Sequence, residues 1–254
     1  MTETDIKYLA GLLDADGSFF LTQTSSYLNL VIGLDLSTGI DREFKYSNWL
    51  SQELDVKYYI TKRDMNAEGV SSIKFIISKR TTLEKLIPRI LKYLVIKGKH
   101  LDRLWRHYKN NCSRKLSPEE IEYAKALNKS SRLDVGPLRT KSWLPKAYVA
   151  GFIDGDGCYI MKTSSGTYNV NTVSHENDRI VADLLFKQYG GHIYKQEDWI
   201  RWRRPLGRTN RVFAIKFLRD MHRHSRLKTY KIEQFLAYHS QRLNVETPTG
   251  DVIV

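Results

Sequence analysis

The stretch YLAGLLDADGSFF, Tyr8 to Phe20, runs apolar residues straight into two carboxylates and a glycine. The spacing predicts a helix that stops at Gly17. Carboxylates at a helix C-terminus face the negative end of the helix dipole and cost a few tenths to about 1 kcal/mol each. A chain shaped by folding alone would place lysine there. One Asp-Gly is ordinary turn chemistry. Yet YVAGFIDGDGCYI, Tyr148 to Ile160, repeats the whole pattern, with Gly151 standing 140 positions after Gly11. Gly17 and Gly157 suit a left-handed cap. Acids beside unpartnered helix-end carbonyls then make an oxygen-rich pocket for a hard cation such as Mg²⁺. The Ala-Gly pairs at Ala10 and Ala150 are small enough to let two helix backbones approach closely. Such packing brings Asp16 and Asp156 side by side, the apparatus of metal-assisted phosphodiester hydrolysis. A calcium loop does not fit, because Phe19 stands where the central glycine belongs and Ser25 and Cys158 where ligands belong.

The material after each motif also repeats. GSFFLTQT and GCYIMKTS read as strands, followed by LNLVIGLDLS and YNVNTVSH. Helical spacing follows from Asp41 and from Asp178, both suited to N-caps. A further strand pair comes next: VKYYITKR with VSSIKFIIS, and GGHIYKQEDWIRWRR with RVFAIKFL. Helical sequence closes each half. The expectation is an α+β fold of two pseudo-symmetric αββαββα halves, each with an antiparallel sheet, together forming a saddle. The halves span residues 1–110 and 147–254, joined by a linker over 111–146 with a short helix from Pro118 to Leu127. Strand alternation puts Ile73, Phe75 and Ile77 on the helix side and Lys74 outward. It does the same for Phe213, Ile215 and Phe217, with Lys216 outward.

The chain has 254 residues, 41 Lys+Arg against 28 Asp+Glu, a net charge of +13. Residues 1–110, 111–145 and 146–254 contribute +4, +3 and +6, so no single tail carries the excess. A charge of this size points to a polyanion, nucleic acid before an acidic membrane. Cys112 and Cys158 form neither a disulfide framework nor a zinc signature, which fits a reducing compartment. The first residues do not read as a secretory signal, and no apolar run is long enough to span a bilayer, so no membrane role is expected.

LAGLLDADG (Leu9–Gly17) and VAGFIDGDG (Val149–Gly157) resemble the signature of the LAGLIDADG homing endonucleases in their single-chain, two-motif form. The resemblance implies a monomeric, intron- or intein-encoded enzyme that cuts both strands of a long, asymmetric double-stranded DNA site and leaves 3′ overhangs. It implies Mg²⁺, with Mn²⁺ able to substitute and Ca²⁺ able to bind without cleavage. Carried over by position, the metal-binding acids are Asp16 and Asp156, with the neighbouring Ala15 and Gly155; Asp14 and Asp154 cap or hydrogen-bond locally. A lysine before the last helix of each half, Lys97 and Lys228, would steady the attacking water or phosphate charge. Thr38 and His175 match polar positions that order water, although Thr38 is shorter than the Gln often found there, and Arg42 and Arg179 stand just beyond. For DNA contacts the outward strand positions are Ser18, Phe20, Thr22 and Thr24 in the first half and Ile160 and Lys162 in the second. Arg63, Lys74, Lys195, Arg201, Arg203, Arg204 and Lys216 add basic side chains. The alternative reading of the same fold and charge is an intron RNA maturase with the chain's own intron as partner.

Overall fold

A computed structural model describes residues 1–24, 27–37, 44–62, 71–129, 135–162, 167–207 and 211–245. Thr38, Asp41, Arg42 and Arg63 lie outside the described residues. The chain runs α1 (Glu3–Asp16), β1 (Gly17–Thr24), β2 (Tyr27–Ser37), α2 (Lys45–Leu54), β3 (Tyr58–Lys62), β4 (Ser71–Ile77), α3 (Arg80–Ile90) and α4 (Gly98–Asn111). After α5 (Pro118–Lys129) the order repeats. It comprises α6 (Lys146–Asp156), β5 (Gly157–Lys162), β6 (Thr167–His175), a 3₁₀ turn (Glu176–Asp178), α7 (Arg179–Tyr189), β7 (His192–Gln196), β8 (Trp199–Pro205), α8 (Arg211–His222) and α9 (Thr229–Val245). The fold is the expected two-half α+β arrangement, with a second helix closing each half. Among the described residues no helix is long and apolar enough to cross a membrane.

Helix α1 starts on a capping box in which Thr2 and Asp5 satisfy each other's backbone N–H groups. It is buried nearly all round: Ile6, Tyr8, Leu9, Leu12 and Leu13 are at most 1% exposed. That explains its continuous apolar run, since a helix enclosed on every side needs no polar stripe. Its partner is α6, and the contact is reciprocal. A Cβ on Gly11 would lie 2.0 Å from the Tyr148 carbonyl oxygen, and one on Gly151 would lie 2.0 Å from that of Tyr8. The two backbones touch, and the halves are related by an approximate two-fold axis between them.

Each half holds a four-stranded antiparallel sheet, ordered β1-β2-β4-β3 and β5-β6-β8-β7. Strands β1 and β5 issue directly from the paired helix ends, so they are the inner edges of the two sheets. In the first sheet Phe19, Leu21, Leu30, Ile32, Leu34, Ile73, Phe75 and Ile77 face the helices. The free edge of β1 is closed by the Asn128 side chain of α5, which accepts from Leu21 N (2.7 Å) and donates to Leu21 O (2.8 Å).

Three expectations are corrected. RVFAIKFL is not a strand but the start of α8, buried at Ala214, Phe217, Leu218 and Met221 in helical spacing. A run this short satisfies either period. Lys216 therefore sits exposed on a helix rather than on a sheet face. The missing strand comes from GGHIYKQEDWIRWRR, which supplies both β7 and β8 by folding back at Glu197, whose φ is 53°. Lastly, Gly17 and Gly157 are extended, with φ −79° and −89°, not left-handed. They are needed for space instead, because a Cβ would fall 2.5 Å from Leu13 O and 2.6 Å from Ile153 O.

Candidate active site at the paired helix ends

Because α1 and α6 end together, their last residues form one constellation. A Cβ on Gly155 would lie 2.9 Å from Asp16 Oδ2, which sets the Asp16 carboxylate against the end of the opposite helix. Asp156 is half-buried, and its carboxyl is pushed up to about 6, by burial first and by the neighbouring Asp16 charge second.

The unfavourable dipole is answered from elsewhere in the chain. Lys97 Nζ donates to the carbonyls of Leu13 (3.0 Å), Ala15 (3.2 Å) and Gly17 (2.8 Å). Lys228 Nζ does the same to Ile153 (2.8 Å), Gly155 (3.1 Å) and Gly157. An ammonium has three N–H donors, so each lysine commits all of them to one helix end. Burial pulls both amines below their usual value. In this arrangement the two lysines act on the helix ends that carry the acids. Lys97→Met is expected to destabilise the protein by about 1.5–3 kcal/mol, the worth of hydrogen bonds to a charged group; chemical denaturation measures it.

The first acid of each motif works at long range. Asp14 accepts from the backbone N–H of Val95 (2.6 Å), Ile96 (3.2 Å) and Lys97 (2.9 Å), and from Tyr148 OH (2.8 Å). Asp154 accepts from Ser225 Oγ (2.8 Å), Arg226 N (2.9 Å), Leu227 N (3.0 Å) and Tyr8 OH (2.7 Å). Each carboxylate thus caps the segment that delivers its half's lysine, while a tyrosine from the other half completes the shell. Burial still raises Asp14 above the usual carboxylate range. Asp14→Asn puts an NH₂ against these donors and is expected to cost about 2–4 kcal/mol, seen as a lower denaturant midpoint.

A cavity of about 330 Å³ opens beside the first helix end, lined by Ser18, Lys97, His100, His175, Asp178 and Trp199 among others. His175 reaches it, and its Nδ1 accepts from Asn177 N at 3.2 Å. Sequence reasoning missed Asp178 here: it heads α7 but makes no side-chain cap bond. Only geometry reveals that, since Asp before a helix reads as a cap. Tyr8 and Tyr148 were also missed, although their recurrence in both motifs was a usable signal.

Among the described residues no group of three or more His, Cys, Asp or Glu side chains could hold a metal ion. Two mutually repelling carboxylates remain, with the Ala15 and Gly155 carbonyls, each of which has a lone pair left beside its lysine bond. So sparse a set fits Mg²⁺, which keeps several waters and is held by one or two carboxylates plus substrate phosphates.

Register places the remaining positions. Ser18, Phe20 and Thr22 pair with Gly33, Val31 and Asn29 on the outward face of the first sheet, and Thr24 with Tyr27. Lys74 faces out but pairs with Asp35 at 3.8 Å. In the second sheet Ile160, Lys162, Arg201 and Arg203 share the outward face. Lys195 falls in register with inward Ile200 and pairs with Glu176 (2.5 Å). Arg204 turns inward, its guanidinium 4.0 Å from the Phe213 ring centroid. Arg179 is exposed and pairs with Asp183 at 3.2 Å.

Residues 9–108 match the family model described as LAGLIDADG endonuclease. No curated protein matches the chain by sequence. Among solved structures, the chain resembles the LAGLIDADG meganuclease I-AabMI bound to uncleaved DNA, at TM-score 0.68 and 15% identity, covering 94% of this chain and 92% of that one. It resembles I-SmaMI bound to an uncleaved DNA target in the presence of calcium ions, at TM-score 0.68 and 17% identity over 96% and 94%. It also resembles the homing endonuclease I-LtrWI bound to target DNA, at TM-score 0.66 and 16% identity over 95% and 91%.

Proposed function

We propose that the chain is a two-motif LAGLIDADG protein, on the match of residues 9–108 and the second motif at Val149–Gly157, and that it is a monomeric, site-specific double-stranded DNA endonuclease. Its substrate is a long, asymmetric duplex, its cofactor Mg²⁺, and its products carry short 3′ overhangs. The observation that carries this reading is the meeting of Asp16 and Asp156 at two helix ends beside strands that face outward with basic side chains. The DNA in the structures it resembles supports the same partner.

Asp16 and Asp156 would hold the cation, with the Ala15 and Gly155 carbonyls beside them. Bound there, it would supply a water acidic enough to attack phosphorus and would offset charge on the departing oxygen. The chain's own residues do the positioning. Lys97 and Lys228 pin the carbonyls that fix the direction of each acid. Asp14 and Asp154 fix the lysines. His175 stands at the cavity wall, in reach of solvent at the cut phosphate. The outward strands bind the duplex and hold its phosphates against the acids.

The deciding experiment exposes a randomised duplex library to the protein with Mg²⁺. Discrete double-strand cuts with one fixed 3′ stagger are expected. Specific binding with no cutting in Mg²⁺ or Mn²⁺ would overturn the reading and favour an RNA maturase.

A further inference from the structure

We infer that the two sheets read opposite base chemistry: the first half recognises thymine methyl groups, and the second recognises guanine through paired arginines. The inference rests on the endonuclease reading above and names the half-site each sheet takes.

The outward face of the first sheet carries exposed apolar side chains. Ile76 is 48% exposed and Tyr59 56% exposed. Ile76 is in register with Gly33, so nothing on the neighbouring strand screens it, and Gly33 is in register with Ser18. Half-buried Phe20 shares this face, in register with Val31, which is buried. Of the described cations beside them, Lys74 is offset by Asp35 in the next strand and Lys79 by Asp55, while Lys57 stands exposed in the shallow pocket that Tyr59 and Ile76 line. The Ile76 and Phe20 side chains have no N–H or O–H to donate to guanine O6 and N7. They gain from the C5-methyl of thymine, the apolar group of the major groove.

The second face is built differently. Arg201 stands between Val173 and Tyr194, and Arg203 between Asn171 and His192. Trp199 and His175 continue the row. Among the described residues no carboxylate occupies an outward position of this sheet. Two arginines two residues apart on one strand share a face and lie roughly 7 Å apart. That spacing suits separate bidentate contacts to guanines about two base-pair steps apart. Arg201 is exposed and Arg203 half-buried.

The test is enrichment of a randomised duplex library on the full chain with Ca²⁺ in place of Mg²⁺, with wild type, Ile76→Ala and Arg201→Ala compared. Both side chains are surface groups, so both variants are expected to fold. Ile76→Ala should relax selection at positions that wild type fixes as T·A, and Arg201→Ala at positions fixed as G·C, with about tenfold weaker binding. Replacing thymine by deoxyuridine at the Ile76-dependent positions should weaken wild type by about fourfold per methyl, the worth of one buried CH₂, and leave Ile76→Ala unaffected. Ile76-dependent positions fixed as G·C, or indifferent to deoxyuridine, would overturn the inference while leaving the endonuclease reading intact. No enriched duplex at all would overturn the endonuclease reading itself.

Discussion

Asp156→Asn is expected to abolish cutting and, in the same protein, to raise stability. The loss of cleavage should be about a thousandfold or more, because a metal supplies several kcal/mol of charge stabilisation in the transition state. The stability gain comes from the shifted carboxyl. Burial and the Asp16 charge push Asp156 up to about 6. A raised carboxyl favours the fold fully below its ordinary range, and that advantage is lost as pH rises through about 6. Above pH 6 the wild type therefore holds an ionised group that the fold disfavours. A shift of about two units corresponds to roughly 3 kcal/mol; with partial solvation at the site, about 1–2 kcal/mol is the expected gain. Thermal unfolding in EDTA should show the variant more stable at pH 8 and equal to wild type at pH 4. Mg²⁺ should narrow the gap at pH 8, since a ligand of the native state stabilises only the protein that binds it. Equal stability in EDTA at both pH values would contradict this account.

Gly11→Ala carries the second large effect. Its Cβ would meet the Tyr148 carbonyl oxygen at 2.0 Å, with Phe152 N and Tyr148 C at 2.9 Å. All three are backbone atoms, so no rotamer change relieves the overlap and the helices must part. The expected cost is about 3 kcal/mol or more, the upper end for overpacking a close-packed core. For a chain of this size that lowers the melting temperature by about 6–12 °C. Gly207→Ala is the control, because a Cβ there meets nothing within 4 Å. Parting the helices also moves Asp16 from Asp156, so cleavage should fall at temperatures where the variant is still folded.

The two halves and their helix–strand order were legible because a repeat at a fixed offset shows twice what each copy shows weakly. The close helix contact was legible in Ala10-Gly11 and Ala150-Gly151, since only small residues permit it. What sequence could not show lies in tertiary partners. Lys97 looks like any lysine before a helix, and nothing local says that its ammonium sits on carbonyls 80 to 84 residues earlier in the chain. Asp14 and Asp154 cap backbone groups equally remote from them. RVFAIKFL went astray for a different reason. Its apolar residues fit both periods, and the choice between them is made by packing, with Phe217 and Leu218 buried beneath α8.

The seam between the halves is written in nearly the same letters on both sides. Tyr8 serves Asp154, Tyr148 serves Asp14, and Gly11 and Gly151 each lie under the other helix. Either half severed from its mate would keep a buried acid lacking its tyrosine, and could recover it only from a second copy of itself. The two are not equally able to do so. A Cβ at Gly155 would fall 2.5 Å from the Ala15 Cβ. A twin of the first half would set alanine against alanine there, whereas a twin of the second would set glycine against glycine. At this position the C-terminal half is compatible with a copy of itself, and the N-terminal half is not.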